Sequence, residues 1–200
     1  MRNRIIPGIM FSMICKRQPN QRRFMMCSLL LAAALSSSGF ARADIATVPP
    51  FQPRFTADLP LATEVIVHKS ARRLELMRNR ELLKSYRIAL GLNPEGHKQQ
   101  EGDFRTPEGR YRLNARNPRS DFFLSLAVSY PDKADVERAK QSGVPPGGAI
   151  MIHGLPNNPK WPPEYYASND WTDGCIALSN SDMMEVWMLV PTGTPIHIRP

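Results

Sequence analysis

The first 43 residues of this 200-residue chain contain no aspartate or glutamate, yet seven basic residues fall among them: Arg2, Arg4, Lys16, Arg17, Arg22, Arg23 and Arg42. A membrane-spanning helix is lacking too, because the apolar stretch from Phe24 to Leu35 falls short of the ~20 residues such a helix needs. Cysteine is scarce, with only Cys15, Cys27 and Cys175. One cysteine beyond the N-terminal region and no close histidine pair offer no zinc-ligand spacing, so no metal site is expected. Internal repeats are absent, which excludes solenoid architectures.

What the N-terminus does contain is ordered: a basic segment, a short apolar run, and small residues at Ala41 and Ala43. That succession reads as a secretory signal peptide over residues 1–43, cleaved after Ala43, leaving no stable membrane span. The chain's formal net charge of +8 comes mostly from this leader; the remaining 157 residues hold 19 basic and 18 acidic side chains. The high isoelectric point is thus a targeting feature, and nucleic acid is not an expected partner. Cys15 and Cys27 leave with the leader, so Cys175 is the lone thiol of the exported chain and no internal disulfide can form. A lone thiol is unusual in an oxidising compartment.

The exported length suits one domain with a sizeable core. Residues 44–63, with Pro49, Pro50, Pro53 and Pro60, read as a proline-rich extended lead-in. Residues 64–200 then form the folded domain. Residues 64–68 and 73–77 have strand character, the second alternating apolar and charged residues. A turn at residues 78–80 and a third strand through residues 86–90 complete an antiparallel meander. Residues 91–109 are a loop rich in glycine, proline and charge, after which Tyr111 to Leu113 resume the sheet. Further strands are expected over residues 121–130, 148–153 and 194–199. Helices are expected over residues 132–142, capped by Asp132 and stopped by Gly143, and over residues 181–190, capped by Ser179 or Ser181. The fold class is mostly β, a β-sandwich with a few short peripheral helices.

Two residues stand out chemically. His153 ends an apolar strand and is followed by Gly154; Cys175 comes twenty-two positions later, within Thr172-Asp-Gly-Cys-Ile-Ala-Leu178. A nearby imidazole can take a thiol proton and so create the nucleophilic thiolate. Gly174 permits a tight turn that aims the amides of Gly174 and Cys175 at a developing oxyanion, and Thr172 adds a hydroxyl donor. The plain alternative is a small buried cysteine and a core histidine. His68 and His197 lie in expected strands as ordinary surface or core imidazoles, and His97 is expected to be solvated. Trp161, Tyr165, Tyr166 and Trp171 either pack a long loop or line a substrate groove.

Several of these segments resemble one family. Ile152-His-Gly154, Thr172-Asp-Gly-Cys-Ile-Ala-Leu178 and Gly193-Thr-Pro-Ile196 are similar to the L,D-transpeptidase (YkuD-type) catalytic domain, as is Gly102-Asp-Phe-Arg-Thr-Pro-Glu-Gly109 upstream. The resemblance spans roughly residues 64–199. It implies a β-sandwich that uses no cofactor, with Cys175 forming a thioester on a peptidoglycan stem peptide, His153 as general base, and the Gly154 carbonyl orienting the imidazole. It further implies an exported protein of the periplasm or cell envelope of a Gram-negative bacterium. An amine acceptor, on a neighbouring stem, a D-amino acid or a murein-attached lipoprotein, would resolve the thioester.

Two departures from the family pattern matter. Asp173 stands where the family usually has histidine, and Ala177 where it has arginine or asparagine. Asp173 is expected to point away from the thiolate or to meet a substrate amino group, since a facing carboxylate would disfavour the ionised thiol. Arg105, Arg110, Arg119 and Lys160 are the candidates to replace the missing cation, and Trp171 flanks the turn. The alternative outcome is hydrolysis, giving an L,D-carboxypeptidase or an enzyme that releases cross-links or bound lipoprotein. A non-enzymatic wall-binding module would need neither Cys175 nor His153.

Overall fold

The computed structural model describes residues 59–200. The expected signal peptide and most of the expected lead-in lie outside the described residues. The described residues open with an antiparallel meander, β1 (Glu64–His68), β2 (Arg73–Arg78) and β3 (Glu81–Arg87). Asn79 and Arg80 join β2 to β3 with φ of 52° and 74°. Two successive positive φ values are the signature of the hairpin turn that matches strand twist.

The long strand β4 (Gly109–Ser120) follows, then β5 (Phe123–Val128), helix α1 (Lys133–Gln141) and β6 (Met151–His153). Helix α2 (Pro163–Ser168), β7 (Ile176–Ala177), helix α3 (Asn180–Leu189) and β8 (Pro195–Arg199) complete the fold. The strand order is β3-β2-β1-β8-β4-β5-β6-β7. β8 lies parallel to β1, with Val65 opposite Ile196 and Val67 opposite Ile198. The first residues of β4 pair with β8, and from Leu113 onward β4 pairs with β5 across a register shift. β4 thus passes from one leaf to the other. Beyond β3 the chain crosses to the far edge, where Ala89 and Ala177 exchange backbone hydrogen bonds of 2.9 and 2.8 Å. The two ends of the strand order therefore meet around the core.

Alternating inward residues fill that core. Val65, Val67, Leu74, Leu76, Leu126, Ile152, Ile176, Ile196 and Ile198 are almost wholly buried and belong to one cluster with Met183 and Val186 of α3. Each such side chain contributes about 2 kcal/mol by leaving water. Ser179 caps α3 by accepting from Asp182 N at 3.1 Å, and Asp132 caps α1 in a reciprocal capping box with Asp135.

The structure departs from the sequence expectation at β3, which spans Glu81–Arg87 and not residues 86–90, at β7, a two-residue strand that was not expected, and in three further places. β4 runs on through Ser120, seven residues past Leu113, because its second half is held by pairing to β5 while its side chains face solvent and carry no apolar alternation. β6 is short because Ala149, at φ 55°, breaks the run that precedes Ile150. Helix α2 stands where only a loop was expected, starting at Pro163, whose fixed φ suits a first helical position.

Candidate active site

The pairing of β6 with β7 places the candidate side chains His153 and Cys175. The strands run parallel with Ile152 opposite Ile176 and His153 opposite Ala177. Side chains alternate along each strand, so Ile152 and Ile176 enter the core while His153 faces the other way, and Cys175 immediately precedes β7. Cys175 lies two residues before the partner of His153, a diagonal neighbour ~7 Å along the strand direction. Its thiol contacts the Ala149 carbonyl at 3.6 Å.

His153 is enclosed at 4% exposure. The Phe122 ring lies 4.6 Å away and the Trp171 ring 5.7 Å away, centroid to centroid. Burial drives the His153 pKa down to about 4, against a smaller opposing effect of its bond to Gly154. The imidazole is therefore neutral at pH 7. Nδ1 lies 2.7 Å from the Gly154 carbonyl. A carbonyl only accepts, so Nδ1 carries the proton and Nε2 presents a lone pair. Gly154 is required by close approach, since a Cβ there would fall 2.6 Å from Asn180 Oδ1.

The turn that delivers Cys175 is fixed from within. Thr172 is buried; its hydroxyl donates to the Cys175 carbonyl at 2.7 Å and accepts from Gly174 N at 3.2 Å. Both groups thus shape the turn. Gly174 has φ 127°, and a Cβ on it would fall 2.6 Å from the Arg105 carbonyl. The segment through Phe104 and Arg105 is thereby pressed onto the cysteine turn, and Gly91 receives it on the other side, 2.0 Å from a would-be Cβ to the Phe104 carbonyl.

Asp173 is the exposed tip of this turn and makes no hydrogen bond or ion pair among the described residues. Partial burial raises its pKa, with Lys98 pulling the other way. Trp171 packs edge-on against Tyr166 at 5.0 Å, and Tyr165 lies 5.3 Å from Trp161. Of these, Trp161 and Tyr166 border a groove of about 380 Å³, lined also by Leu155, Pro156 and Asn180. The aromatic loop therefore both packs and lines a groove. Of the four candidate cations, Arg105 is the one whose backbone abuts the cysteine turn; Arg110 faces Glu64 at 3.9 Å, and Arg119 and Lys160 are exposed. Ala177 is buried at 2% and sealed against Ala89, leaving no room there for a long side chain.

A charged brace behind the site escaped sequence reading. Asp170 accepts from Arg72 at 2.9 and 2.7 Å and from Leu90 N at 2.9 Å. Arg72 also donates to the Lys69 carbonyl at 2.6 Å. Lys69, only 2% exposed, donates to Gly96 O, Thr106 O and Glu108 Oε1. Burial lowers its pKa, and Glu108 opposes the shift. Arg72 and Asp170 are 98 residues apart, and no spacing rule links them. His97, expected to be solvated, is instead held between the Glu108 backbone and Asp135, 3.1 Å from that carboxylate. Among the described residues no group of three or more potential ligands is placed to hold a metal ion.

The family model described as the YkuD L,D-transpeptidase catalytic domain matches residues 62–198, and the chain belongs to that family. It is 24% identical over 182 residues to YafK of Escherichia coli strain K12, an L,D-transpeptidase by provisional name; the alignment spans 88% of this chain and 66% of YafK. Among solved structures, the K307A form of the helical cell shape determining protein Pgp2 from Campylobacter jejuni superposes with a TM-score of 0.54 at 25% identity, over 69% of this chain and 47% of Pgp2. Pgp2 itself gives 0.53 at 24% identity, over 72% and 52% of the two chains. This chain thus spans about half of Pgp2 and just under two thirds of YafK.

Proposed function

We propose that this protein is an exported, peptidoglycan-modifying cysteine L,D-transpeptidase of the cell envelope. The observation that carries the reading is a buried, neutral His153, its Nδ1 tied to Gly154 O, on the strand that pairs with β7, which Cys175 immediately precedes. Family membership and the likeness to YafK support the substrate class, the stem peptides of the wall.

The chemistry follows from the protonation state. With the His153 pKa near 4, the resting imidazole is neutral. Nε2 takes the thiol proton as sulfur attacks the carbonyl of the amide between diaminopimelate and the terminal D-residue. The tetrahedral adduct collapses as the imidazolium returns that proton to the leaving amine, leaving a thioester. An acceptor amine then attacks, gives its proton to Nε2, and expels the thiol. Water in place of the amine gives hydrolysis by the same steps. General base catalysis of this kind contributes roughly 10²–10⁴-fold. The acceptor is a neighbouring stem, a D-amino acid or the amine of a wall-attached lipoprotein. Among the described residues no helix is long and apolar enough to cross a membrane.

The test is to incubate purified muropeptides with the protein and with Cys175→Ala, with and without a D-amino acid, and read products by mass spectrometry. Exchange or dimer formation that depends on Cys175 supports transfer. Shortened or released stems alone shift the assignment to hydrolysis, and no Cys175-dependent change removes the enzymatic reading.

A further inference from the structure

One short strip of chain grips both ends of the cysteine turn. Leu90 O accepts from Trp171 N at 3.1 Å and from Thr172 N at 3.0 Å, and Leu92 N donates to Thr172 O at 3.0 Å. On the far side of the turn, Ala89 and Ala177 exchange two further backbone hydrogen bonds. Thr172 passes this placement on, its hydroxyl accepting from Gly174 N and donating to the Cys175 carbonyl. Where residues 89–92 sit therefore decides where Cys175 sits.

A single charged contact ties the strip to the turn. Asp170 Oδ1 accepts from Leu90 N at 2.9 Å, while Oδ2 accepts from Arg72 Nε and a terminal guanidinium nitrogen at 2.9 and 2.7 Å. Paired bonds of this charge-assisted kind fix direction as well as distance. Arg72 holds the strip through its backbone too, its carbonyl accepting from Ile88 N at 2.9 Å. Its own conformation is costly: φ is 48°, the left-handed region that glycine enters freely and a residue with a Cβ does not. The bonds to Asp170, and another to the Lys69 carbonyl, offset that strain. From the same β1–β2 turn Lys69 reaches the opposite way, to Gly96 O and Thr106 O, behind the segment whose Arg105 carbonyl abuts Gly174.

We propose that Arg72 is a positioning residue for Cys175, acting through Asp170 and Leu90 to hold the cysteine turn in register with His153 for proton transfer. The proposal rests on Cys175 being the nucleophile of the function proposed above and adds a residue remote from it in sequence. Arg72 acts through Asp170 and Leu90 rather than on the reacting atoms. A displacement of about 1 Å between reacting groups can cost on the order of a hundredfold in rate. Substrate binding does not share that sensitivity, so the effect falls on kcat rather than KM.

The test pairs activity with a readout that needs no substrate. Arg72→Gln, Arg72→Lys and Asp170→Asn are assayed on muropeptides for kcat and KM, and alkylation of Cys175 by iodoacetamide is timed at pH 7. Arg72→Gln is expected to lower kcat about ten- to hundredfold at unchanged KM and to slow alkylation about tenfold. Asp170→Asn keeps an oxygen for Leu90 N and loses only the charge, and it is expected to slow both in the same direction. Arg72→Lys retains a donor to Asp170 and is expected to regain most of both rates. In the Asp170→Asn background, Arg72→Gln is expected to cost nothing further, because its effect passes through that carboxylate. Val186→Ala in the core of α3 controls for general loosening: it lowers the unfolding midpoint and leaves alkylation at the wild-type rate. Unchanged or faster alkylation in Arg72→Gln or Asp170→Asn overturns the proposal. So does an Arg72→Lys no better than Arg72→Gln, or equal slowing in Val186→Ala. If wild-type protein fails to turn over muropeptides while alkylation responds as described, the stem-peptide reading falls and the positioning of Cys175 stands.

Discussion

Lowering the pH should destabilise this protein through His153, by an amount the structure specifies. The imidazole is enclosed by Phe122 and Trp171, and its pKa is near 4 against 6.5 for an exposed histidine. The folded state therefore binds the proton more weakly than the unfolded chain. Stability linked to this group is fully present above pH 6.5 and is lost as pH falls toward 4. One unit of pKa difference corresponds to about 1.4 kcal/mol, so the loss reaches about 3 kcal/mol at pH 4. Other carboxylates titrate over the same range, and a His153→Gln comparison cancels them, because glutamine fills similar space without titrating. Urea unfolding at pH 7, 5.5 and 4 gives the difference directly. With a slope of about 2 kcal/mol per molar, the wild-type midpoint should fall on the order of 1.5 M further than that of His153→Gln. Parallel pH curves would show that the folded imidazole charges freely, and the neutral resting base would be lost with it.

Thr172→Val keeps the shape of the side chain but leaves the buried Gly174 N–H without its partner; a loss of about 2 kcal/mol in thermal unfolding is expected, with slower thiol labelling of Cys175. Ala177→Arg introduces a basic side chain that the family resemblance led one to expect here, yet position 177 is sealed, so the change should destabilise by at least about 3 kcal/mol and fail to raise activity. A stable and faster Ala177→Arg enzyme would refute the account of that position. Trp171→Phe retains a ring beside His153 and removes an N–H that has no partner among the described residues. Stability should fall by only about 1 kcal/mol, from lost volume, while KM for stem peptide rises about tenfold; an unchanged KM would mean the N–H never meets substrate.

The elements legible in the sequence were those whose pattern is local. β1 and β2 alternate or run apolar, Asp132 and Ser179 announce their helices, and Asn79 with Arg80 mark a hairpin. The second half of β4 was not legible, because a solvent-facing strand held by its neighbour has no hydrophobic period to read. Nor was the parallel insertion of β8 beside β1, a pairing that depends on which strand fills the gap rather than on either sequence. At the candidate site, Cys175, His153 and Gly174 stood out in the sequence because they fall in short motifs, and the fold sets them on or beside the adjoining strands β6 and β7. Asp170 with Arg72, and Lys69 with Glu108, did not stand out, since each pair joins segments remote in sequence and each member looks like an ordinary loop charge alone. Arg105 stood among four basic candidates; its carbonyl packs on Gly174 while its guanidinium lies by Gly96.

The most direct measurement of the central claim is intact-protein mass spectrometry after rapid acid quenching of the protein with a tetrapeptide stem. A thioester on Cys175 predicts a mass increase equal to the stem less its terminal residue, removed by neutral hydroxylamine, mapped to the peptide containing Cys175, and strongly reduced in His153→Gln. Product formed by Cys175→Ala, or turnover whose acyl adduct maps to another residue, would contradict it.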